Sequence, residues 1–571
     1  MSGLQALLEQ KLQDLIPHHK ENIVIGDFLL SENEALFNYI SSHFPETKDF
    51  VPLQNFYSYF TKTYKKPIKV EFEYQQATDT ITKELVYSLY KEHNENKLYN
   101  QKYGQYIKKA TKQRDIIADH GNDYQSYIKY IGKTIPMSFF ANKRPHALPH
   151  KTKGHHAYIV GASGYGKSET IKLLVHHYLT QDNGSVILFD PHGDLAKSVA
   201  QFKENLHSDR LVYIKPRLNT ACVPKFNPFT LPQIEDKALL WDAVNDMSEQ
   251  FLEVMEEVFA TQGLTENMRL VLKNCFIVLT YMPNTSVMDV LYFLDKDNKR
   301  YIDFANTNIT NPITLLFLKQ LHTQSMESTK EAIKNRFFSL LQHQTFANMT
   351  SDEPSFDLET LINQGKLIVF DFEGMGQLQK NIFGKLLISQ IRIIGQKRDT
   401  IQENQRLPCR VFIDECQLFI TKSIKDGFQQ LRKYKVFFTL AQQNVGDGMS
   451  SDLEKAVLTN SQLKIIGKNT KGDLKIISEN INVPLEELQS LSQGEFYIAS
   501  GENIPIRTKI ASHLVNGKNS MNAEEWETLL QKQVKQYYKA VATPTADDIA
   551  QISSKITERK SGYDRKPLFS E

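Results

Sequence analysis

The sequence is poor in cysteine and has no long apolar run. Its 571 residues include only four cysteines, Cys222, Cys275, Cys409 and Cys416, and no Cys-x-x-Cys spacing. These thiols provide neither a disulfide framework nor a zinc-ligand pattern, so we expect them to be reduced. No run of about 18 apolar residues occurs, which predicts that no helix spans a membrane. The first residues, MSGLQALLEQKLQDL, lack the apolar core of a signal peptide, and we therefore expect a cytoplasmic protein.

The sequence also lacks an excess of charge of either sign. It has 68 Lys and Arg residues against 66 Asp and Glu residues, a formal net charge of +2. This balance excludes a chain that holds nucleic acid over its whole surface by charge, although a local basic track is compatible with it. A hydrophobic content of 41% and a charged content of 23% are typical of folded proteins. The length predicts about two to four domains.

Changes in hydrophobic periodicity divide the chain into five segments. We expect a helical N-terminal domain with a packing or partner-binding role (1–130), the first part of an α/β domain (131–230), an all-helical insertion (231–350), the second part of the α/β domain (351–515), and a C-terminal helix with a flexible tail (516–571). Short apolar runs without strict alternation predict a mostly parallel sheet that is covered on both faces. These runs are AYIV (157–160), VILF (186–189), LVYI (211–214), KLIVFDF (366–372), VFI (411–413), VFFTL (436–440), LKII (463–466) and EFYIA (495–499).

A complete phosphate-binding pattern follows the first of these runs. Residues 161–168 read GASGYGKS, which fits G-x-x-x-x-G-K-[ST], with a predicted strand before them and a predicted helix after them. The glycines allow successive backbone N–H groups to face one centre, where phosphate oxygens bind. We expect Lys167 to contact the β- and γ-phosphates of ATP and Ser168 to offer its hydroxyl to Mg²⁺. The predicted nucleotide-binding residues are Gly161, Ser163, Gly164, Tyr165, Gly166, Lys167, Ser168, Glu169 and Asp190.

Three predicted strands end in carboxylates. The run RVFIDE (410–415) has the pattern of a Walker B strand, in which Asp414 would hold Mg²⁺ and Glu415 would act as general base on the attacking water. Asp190 closes a second strand and is followed by Pro-His-Gly-Asp. It fits either a residue at the nucleotide edge or subunit interface, or a polar turn. Asp371 closes a third strand and is more typical of a turn.

A polar amide and a cation complete the expected site. Residues 436–440 lead into Ala-Gln-Gln-Asn, and we predict that Gln443 senses the γ-phosphate or the attacking water; the alternative is an ordinary polar strand end. Phosphoryl transfer is accelerated by a cation that a neighbouring subunit often supplies. Arg432 is the first candidate for this catalytic role, followed by Arg410, Arg336 and Lys468.

Taken in order, these motifs resemble the HerA/FtsK superfamily and, within it, the TraG-like coupling ATPases of conjugation and type IV secretion. The resemblance covers roughly residues 150–515 and rests on GASGYGKS (161–168), FDPHGDL (189–195), FNPF (226–229), FIDECQLFIT (412–421), LRKYKVFFTLAQQ (431–443) and SLSQGEFYI (490–498). It implies a RecA-like P-loop NTPase domain that assembles as a homo-hexameric ring and passes DNA through its pore. The sequence departs from the family in its N-terminus, which lacks both the membrane helices of coupling proteins and the β-barrel of HerA proteins. It also has Lys468 where an Arg is expected.

The favoured function is therefore an ATP-driven DNA translocase. Two alternatives are a nucleotide-gated ring that scaffolds a nuclease or other effector through residues 1–130, and a motor for protein substrates of a secretion system. Lys422 and Lys425 fit either a pore-facing helix that contacts DNA phosphates or a solvated helix face. Tyr99, Tyr103 and Tyr106 lie among lysines and offer stacking surfaces for single-stranded bases, but we assign them no role.

Overall fold

The computed structural model describes residues 2–16, 22–51, 54, 139–140, 142–219, 221–231, 234–260, 263–321, 323–351, 353–501, 503–515 and 519–541. The chain divides into two compact units. The first unit comprises residues 1–212, 358–371 and 387–523, and it contains the phosphate-binding motif and the Walker B motif. The second unit comprises residues 213–357, 372–386 and 524–571, and it contains the segment predicted as an insertion.

An 11-stranded sheet is the main β-structure. Its strands are β1 (Ile23–Phe28), β2 (Arg144–Leu148), β3 (His156–Val160), β4 (Ser185–Asp190), β5 (Leu211–Ile214), β7 (Leu367–Asp371), β8 (Cys409–Ile413), β9 (Val436–Gln442), β10 (Ser461–Ile466), β11 (Glu495–Ser500) and β12 (Ile506–Ile510). They are arranged in the order β2-β1-β12-β11-β10-β3-β9-β8-β4-β7-β5. Two further strands, β6 (Cys222–Val223) and β13 (Lys539–Ala540), pair with each other.

The strands from β10 to β7 pair in parallel and form the part of the sheet that carries the motifs. Every residue of β3, β4, β7, β8 and β9 is buried, which explains their nearly continuous apolar sequences. Since parallel strands end at the same edge of a sheet, the residues that follow β3, β8 and β9 lie side by side. This is the α/β arrangement, with a mostly parallel central sheet, that the sequence predicts for a RecA-like P-loop NTPase.

The other side of the sheet is antiparallel, and β11 is the one of its strands that corresponds to a predicted run, EFYIA (495–499). Strands β11, β12, β1 and β2 continue the sheet from β10 in antiparallel pairs. The expectation that residues 1–130 are helical is therefore wrong for Ile23–Phe28, which form β1 and bring Gly26 opposite Ile510. The strand forms because IVIGDF has β-branched residues whose side chains are buried at Ile23 and Ile25. Most of the predicted N-terminal domain, including Tyr99, Tyr103 and Tyr106, lies outside the described residues.

The described N-terminal residues are linked to the sheet by side-chain hydrogen bonds as well. Asn33 lies just before the helix Glu34–His43, and its amide nitrogen donates to the backbone oxygen of Arg507 at 3.1 Å. The backbone nitrogen of Arg507 donates in return to the Asn33 amide oxygen at 2.6 Å. One Asn side chain thus occupies both backbone groups of a residue in β12, so this part of the N-terminal segment belongs structurally to the sheet.

The helices of the described residues are, in chain order, α1 (Ser2–Leu15), α2 (Glu34–His43), α3 (Lys167–Gln181), α4 (Asp194–Ala200), α5 (Glu204–His207), α6 (Lys237–Val258), α7 (Glu266–Tyr281), α8 (Asp289–Phe293), α9 (Lys299–Asn308), α10 (Pro312–Gln320), α11 (Glu327–Leu341), α12 (Gln344–Met349), α13 (Leu358–Asn363), α14 (Gln377–Lys397), α15 (Lys422–Gln430), α16 (Ser451–Asn460), α17 (Lys471–Ile481), α18 (Leu485–Gln489) and α19 (Ala523–Tyr537). None of these helices is long and apolar enough to cross a membrane, within the part of the chain that the structure describes.

The helical insertion forms as the periodicity predicts. In the described residues from 237 to 349, α6 to α12 follow one another without a strand. The helices begin where polar side chains satisfy the first free backbone N–H groups. The carboxylate of Asp236 accepts from Ala238 and Leu239 at the start of α6, and the hydroxyl of Thr265 accepts from Met268 at the start of α7.

Candidate functional site

The phosphate-binding loop connects β3 to α3. Gly164 has a φ of 79° and Gly166 a φ of 105°, conformations that residues with a Cβ rarely adopt. Lys167 is the first residue of α3 and is buried, with its ammonium group donating to the backbone oxygen of Gly161 at 2.8 Å. The loop therefore curls around the start of a helix, where backbone N–H groups and the helix dipole favour anions. Ser163 and Ser168 are exposed, whereas Tyr165 and Glu169 are half-buried.

A turn before β11 contacts this loop and was not assigned a role from the sequence. The side-chain nitrogen of Gln493 donates to the backbone oxygen of Gly164 at 2.8 Å, and the backbone nitrogen of Gly494 donates to the backbone oxygen of Tyr165 at 3.1 Å. The motif SLSQGEFYI contains both residues, but nothing local in it indicates a contact with a loop more than 300 residues earlier. The turn helps to fix the shape of the phosphate-binding loop.

Carboxylates gather opposite Lys167 at the carboxyl edge of the sheet. Asp414 follows β8 and is only 6% exposed, and its pKa is raised to about 7 mainly by burial and further by the charges of Asp190 and Glu415. Burial lowers the pKa of Lys167, while Glu415 and Asp414 oppose this shift. The three acidic groups repel one another, and the buried ammonium group of Lys167 offsets this repulsion only in part. A bound cation would lower the electrostatic energy of the site further.

The donors at this site fit Mg²⁺. Asp414 provides a carboxylate and Ser168 an exposed hydroxyl, and both are the hard oxygen ligands that Mg²⁺ prefers. No group of three or more His, Cys, Asp and Glu residues could hold a metal ion by itself, as far as the described residues show. Mg²⁺ usually keeps waters and shares its coordination with substrate phosphates, so two protein oxygens can hold it beside a nucleotide. The residues therefore form an ATP site with a place for Mg²⁺.

Two glutamine side chains hold Glu415. The side-chain nitrogen of Gln443, just after β9, donates to Glu415 Oε1 at 2.9 Å, and that of Gln417 donates to Glu415 Oε2 at 2.6 Å. Glu415 itself has a φ of 45° and a ψ of 53°, the left-handed conformation that costs free energy for a residue other than glycine. The predicted sensor Gln443 therefore contacts the predicted general base directly. Its role toward the γ-phosphate stays a prediction.

Asp190 forms the polar turn that was one of its two interpretations, and its role at the nucleotide stays a prediction. Its Oδ1 accepts from the backbone nitrogen of His192 at 2.9 Å and its Oδ2 from that of Ala196 at 2.8 Å, so it fixes the turn into α4. It also lies close enough to Asp414 to raise the pKa of that carboxyl. Asp371 ends β7 beside Asp190 and is fully buried.

Two of the candidate cations lie at the opposite edge of the sheet from the phosphate-binding loop. Arg432 is exposed just before β9, and its charge lowers the pKa of His156 at the start of β3. Arg410 is buried near the start of β8, where it pairs with Asp182 at 2.8 Å. Neither residue reaches the site of its own chain. The role of Arg432 on a neighbouring subunit stays a prediction.

The other two candidate cations, Arg336 and Lys468, lie in different units of the chain. Arg336 lies on α11 in the second unit and donates to the backbone oxygens of Ala332 and Gly263, both at 2.9 Å. Lys468 follows β10, and its backbone oxygen accepts from the nitrogen of Ala162 in the phosphate-binding loop at 2.8 Å. Of the four candidates, Lys468 is the one that the structure places beside the loop within the same chain.

A phosphate-binding loop, a Walker B pair and a polar amide at one sheet edge define a P-loop ATPase. Residues 150–391, less than half of the chain, match the family model described as the central domain of helicase HerA. The chain is thus a P-loop ATPase, and its residues 150–391 are similar to the central domain of helicase HerA. No curated protein sequence matches it.

Several solved structures are similar to this chain. The bacterial conjugative coupling protein TrwB is 13% identical, with 66% of this chain and 89% of that chain covered and a TM-score of 0.49. The TrwB complex with ADP and Mg²⁺ is 15% identical over the same shares, with a TM-score of 0.47. VirB4 of Thermoanaerobacter pseudethanolicus is 17% identical, with 65% and 91% covered and a TM-score of 0.39. The class of this chain rests on the family match and on its site residues.

Proposed function

We propose that this P-loop ATPase is a DNA translocase that works as a ring of six identical subunits. The observation that carries the proposal is the arrangement of the hydrolytic residues, with Glu415 held by two amides and electrostatically coupled to Lys167. A site that only stores nucleotide has no need for a carboxylate that is fixed in this way. The match of residues 150–391 to a helicase central domain supports work on nucleic acid.

Each residue has a task that follows from its position. The loop N–H groups and Lys167 bind the phosphates, and Ser168 and Asp414 would hold Mg²⁺, which supplies positive charge to the triphosphate. Glu415 orients the attacking water and accepts its proton. Gln443 contacts Glu415 and lies at the end of a central strand, so a change at this amide can be transmitted along β9 to the rest of the first unit.

The ring and the DNA contact are the finer part of the proposal. Arg432 is exposed on the far edge of the sheet, which makes it available to a neighbouring subunit. Lys425 lies on α15, which follows the Walker B region, and its side chain is paired with the exposed Asp452 at 3.4 Å. A surface pair of this kind is weak, so DNA phosphate competes with Asp452 for the lysine at little cost.

The test is ATP hydrolysis by the purified full chain without DNA, with single-stranded DNA and with duplex DNA, alongside particle size with and without nucleotide. We expect one form of DNA to raise the rate and nucleotide to favour a hexamer-sized particle. Lys167→Ala should abolish hydrolysis, whereas Glu415→Gln should abolish steady-state turnover, leave a slow residual rate that single-turnover measurement detects, and retain magnesium-dependent ATP binding. Full turnover in either variant would contradict the assignment of the site.

A second candidate function is a nucleotide-gated ring that recruits a protein effector or moves a protein substrate. It is favoured by large apolar side chains on the surface of the helical insertion, including Leu239 at 62% exposed and Ile313 at 71%. Such side chains are common in contacts between proteins. An ATPase rate that no DNA changes, in particles of hexamer size, would favour this candidate over translocation.

A further inference from the structure

We propose that Gln417 is a positioning residue for ATP hydrolysis, which holds the carboxylate of Glu415 in its working orientation together with Gln443. The proposal rests on the proposed function, since it requires Glu415 to act as general base. Its basis is that the two oxygens of one carboxylate accept from two different amides, at 2.6 Å from Gln417 and at 2.9 Å from Gln443.

The backbone at Glu415 brings Gln417 to this position. The left-handed conformation of Glu415, with a φ of 45°, reverses the chain directly after β8 and starts the short turn Cys416–Leu418. The backbone nitrogen of Leu418 donates to the backbone oxygen of Glu415 at 3.1 Å and closes this turn. The side chain two residues after the carboxylate therefore folds back over it. The unusual φ has a consequence at the site, because an extended Glu415 would direct Gln417 away.

The chemistry of the contact fixes the direction of the amide. An ionised carboxylate only accepts hydrogen bonds, so the nitrogen of Gln417 must face it and the amide oxygen must point away. That oxygen is buried and has no hydrogen-bond partner among the described residues. The bond to Glu415 is consequently the one that orients this side chain, and bonds to a charged group are stronger than neutral ones.

The two amide hydrogen bonds leave Glu415 able to accept a hydrogen from water. Each carboxylate oxygen has two lone pairs, so each can accept one amide hydrogen and still accept a hydrogen from water. Glu415 also opposes the burial-induced lowering of the Lys167 pKa more strongly than Asp414 does, which places its charge toward the phosphate-binding loop. The amides therefore hold the carboxylate near the ammonium group of Lys167.

Gln417 is also in contact with the loop that follows Gln443. Gly448 has a φ of 68°, and a Cβ added there would lie 3.2 Å from the Cβ of Gln417 and 3.4 Å from its backbone oxygen. The loop thus leaves β9 at Gln443 and returns over Gln417. Because this loop begins at Gln443 and passes close to the Cβ and backbone oxygen of Gln417, a movement of the loop would affect both residues that donate to Glu415.

The experiment compares Gln417→Met with Gln417→Glu in the full chain. Methionine keeps the length and packing of the side chain but removes the donor, and glutamate places a second negative charge beside Glu415. We expect Gln417→Met to lower kcat about tenfold, the scale of one lost hydrogen bond to a charged group, with KM for ATP unchanged within about twofold. Gln417→Glu should lower kcat further. Gln462→Met, at an exposed position of β10, is the matched control and should retain wild-type kinetics.

A double-mutant cycle distinguishes positioning from a structural role. If Gln417 acts through Glu415, adding Gln417→Met to Glu415→Gln causes no further loss in single-turnover hydrolysis. An additional tenfold loss in that background, or a KM that rises in parallel with the fall in kcat, would overturn the proposal. So would wild-type kcat in Gln417→Met while Glu415→Gln is inactive. An inactive wild-type chain would instead refute the proposed function itself.

Discussion

The crowded carboxylates make the stability of the metal-free protein depend on pH. The pKa of Asp414 is raised from 3.8 to about 7, mainly by burial and then by Asp190 and Glu415. The folded chain therefore binds this proton more tightly than the unfolded chain does. Its contribution to stability is fully present below pH 3.8 and is lost as the pH rises through about 7. Asp414→Asn removes the ionisable group, so the variant should not lose this stability as the pH rises.

The magnitude follows from the size of the shift. The pKa rises by about three units, and each unit corresponds to about 1.4 kcal/mol, which gives a ceiling of about 4 kcal/mol at pH 8. Part of the repulsion involves Asp190 and Glu415, which keep repelling each other in the variant. We therefore expect Asp414→Asn to gain about 2 kcal/mol at pH 8. In domains of 150–250 residues, 1 kcal/mol shifts Tm by about 2–4 °C, so the gain is roughly 5 °C.

The assay is thermal unfolding in a buffer with a chelator, at pH values from 5 to 8. The Tm of Asp414→Asn should exceed that of the wild-type protein at pH 8, and by much less at pH 5. Addition of Mg²⁺ and nucleotide should raise the Tm of the wild-type protein but not that of Asp414→Asn. Asp303→Asn, at an exposed position of α9, controls for the substitution itself. A lower Tm of Asp414→Asn at pH 8, or an equal gain at both pH values, would refute the reasoning.

Two further predictions concern the phosphate-binding loop. In Gly467→Ala the new methyl group would lie 2.9 Å from the ring of Phe496, which is fully buried and has no room to move. We therefore expect the free energy of unfolding, measured with denaturant, to fall by about 1–3 kcal/mol. An unchanged midpoint would contradict this. Gln493→Leu removes the donor to Gly164, and steady-state kinetics should show KM for ATP raised about fivefold at unchanged Tm, whereas an unchanged KM would show that the contact is dispensable.

The parallel half of the sheet could be predicted because burial on both faces leaves a simple mark on the sequence. Strands β3, β4 and β7 to β9 consist of apolar runs with every residue buried. Of the antiparallel strands, β11 has a similar apolar run, whereas β1, β2 and β12 do not. Strand β2 reads RPHAL and contains a proline, and it lies in a segment that looks like a connection. Strand β12 reads IRTKI and alternates between buried and more exposed residues, a short pattern that by itself indicates a strand only weakly.

The residues of the candidate site likewise include some that the sequence predicts and some that it does not. The positions of Lys167, Asp414 and Glu415 at one sheet edge could be predicted because each belongs to a motif of residues adjacent in sequence, within one loop or at one strand end, while their roles stay predictions. The contact of Gln493 with Gly164 joins residues 329 positions apart, and no local pattern encodes it. The role of Gln417 depends on the unusual φ of Glu415, which a sequence motif does not reveal.

Strand β1 determines where the ATPase can be divided in the laboratory. The family match begins at residue 150, which invites a shortened protein that starts there. Such a protein would lose β1 and β2, so the backbone groups of β12 that now pair with β1 would become a free edge. Unpaired edges recruit other strands, and the Asn33 side chain that covers Arg507 would be lost as well. We expect the shortened chain to aggregate and advise that expression trials retain the N-terminal residues.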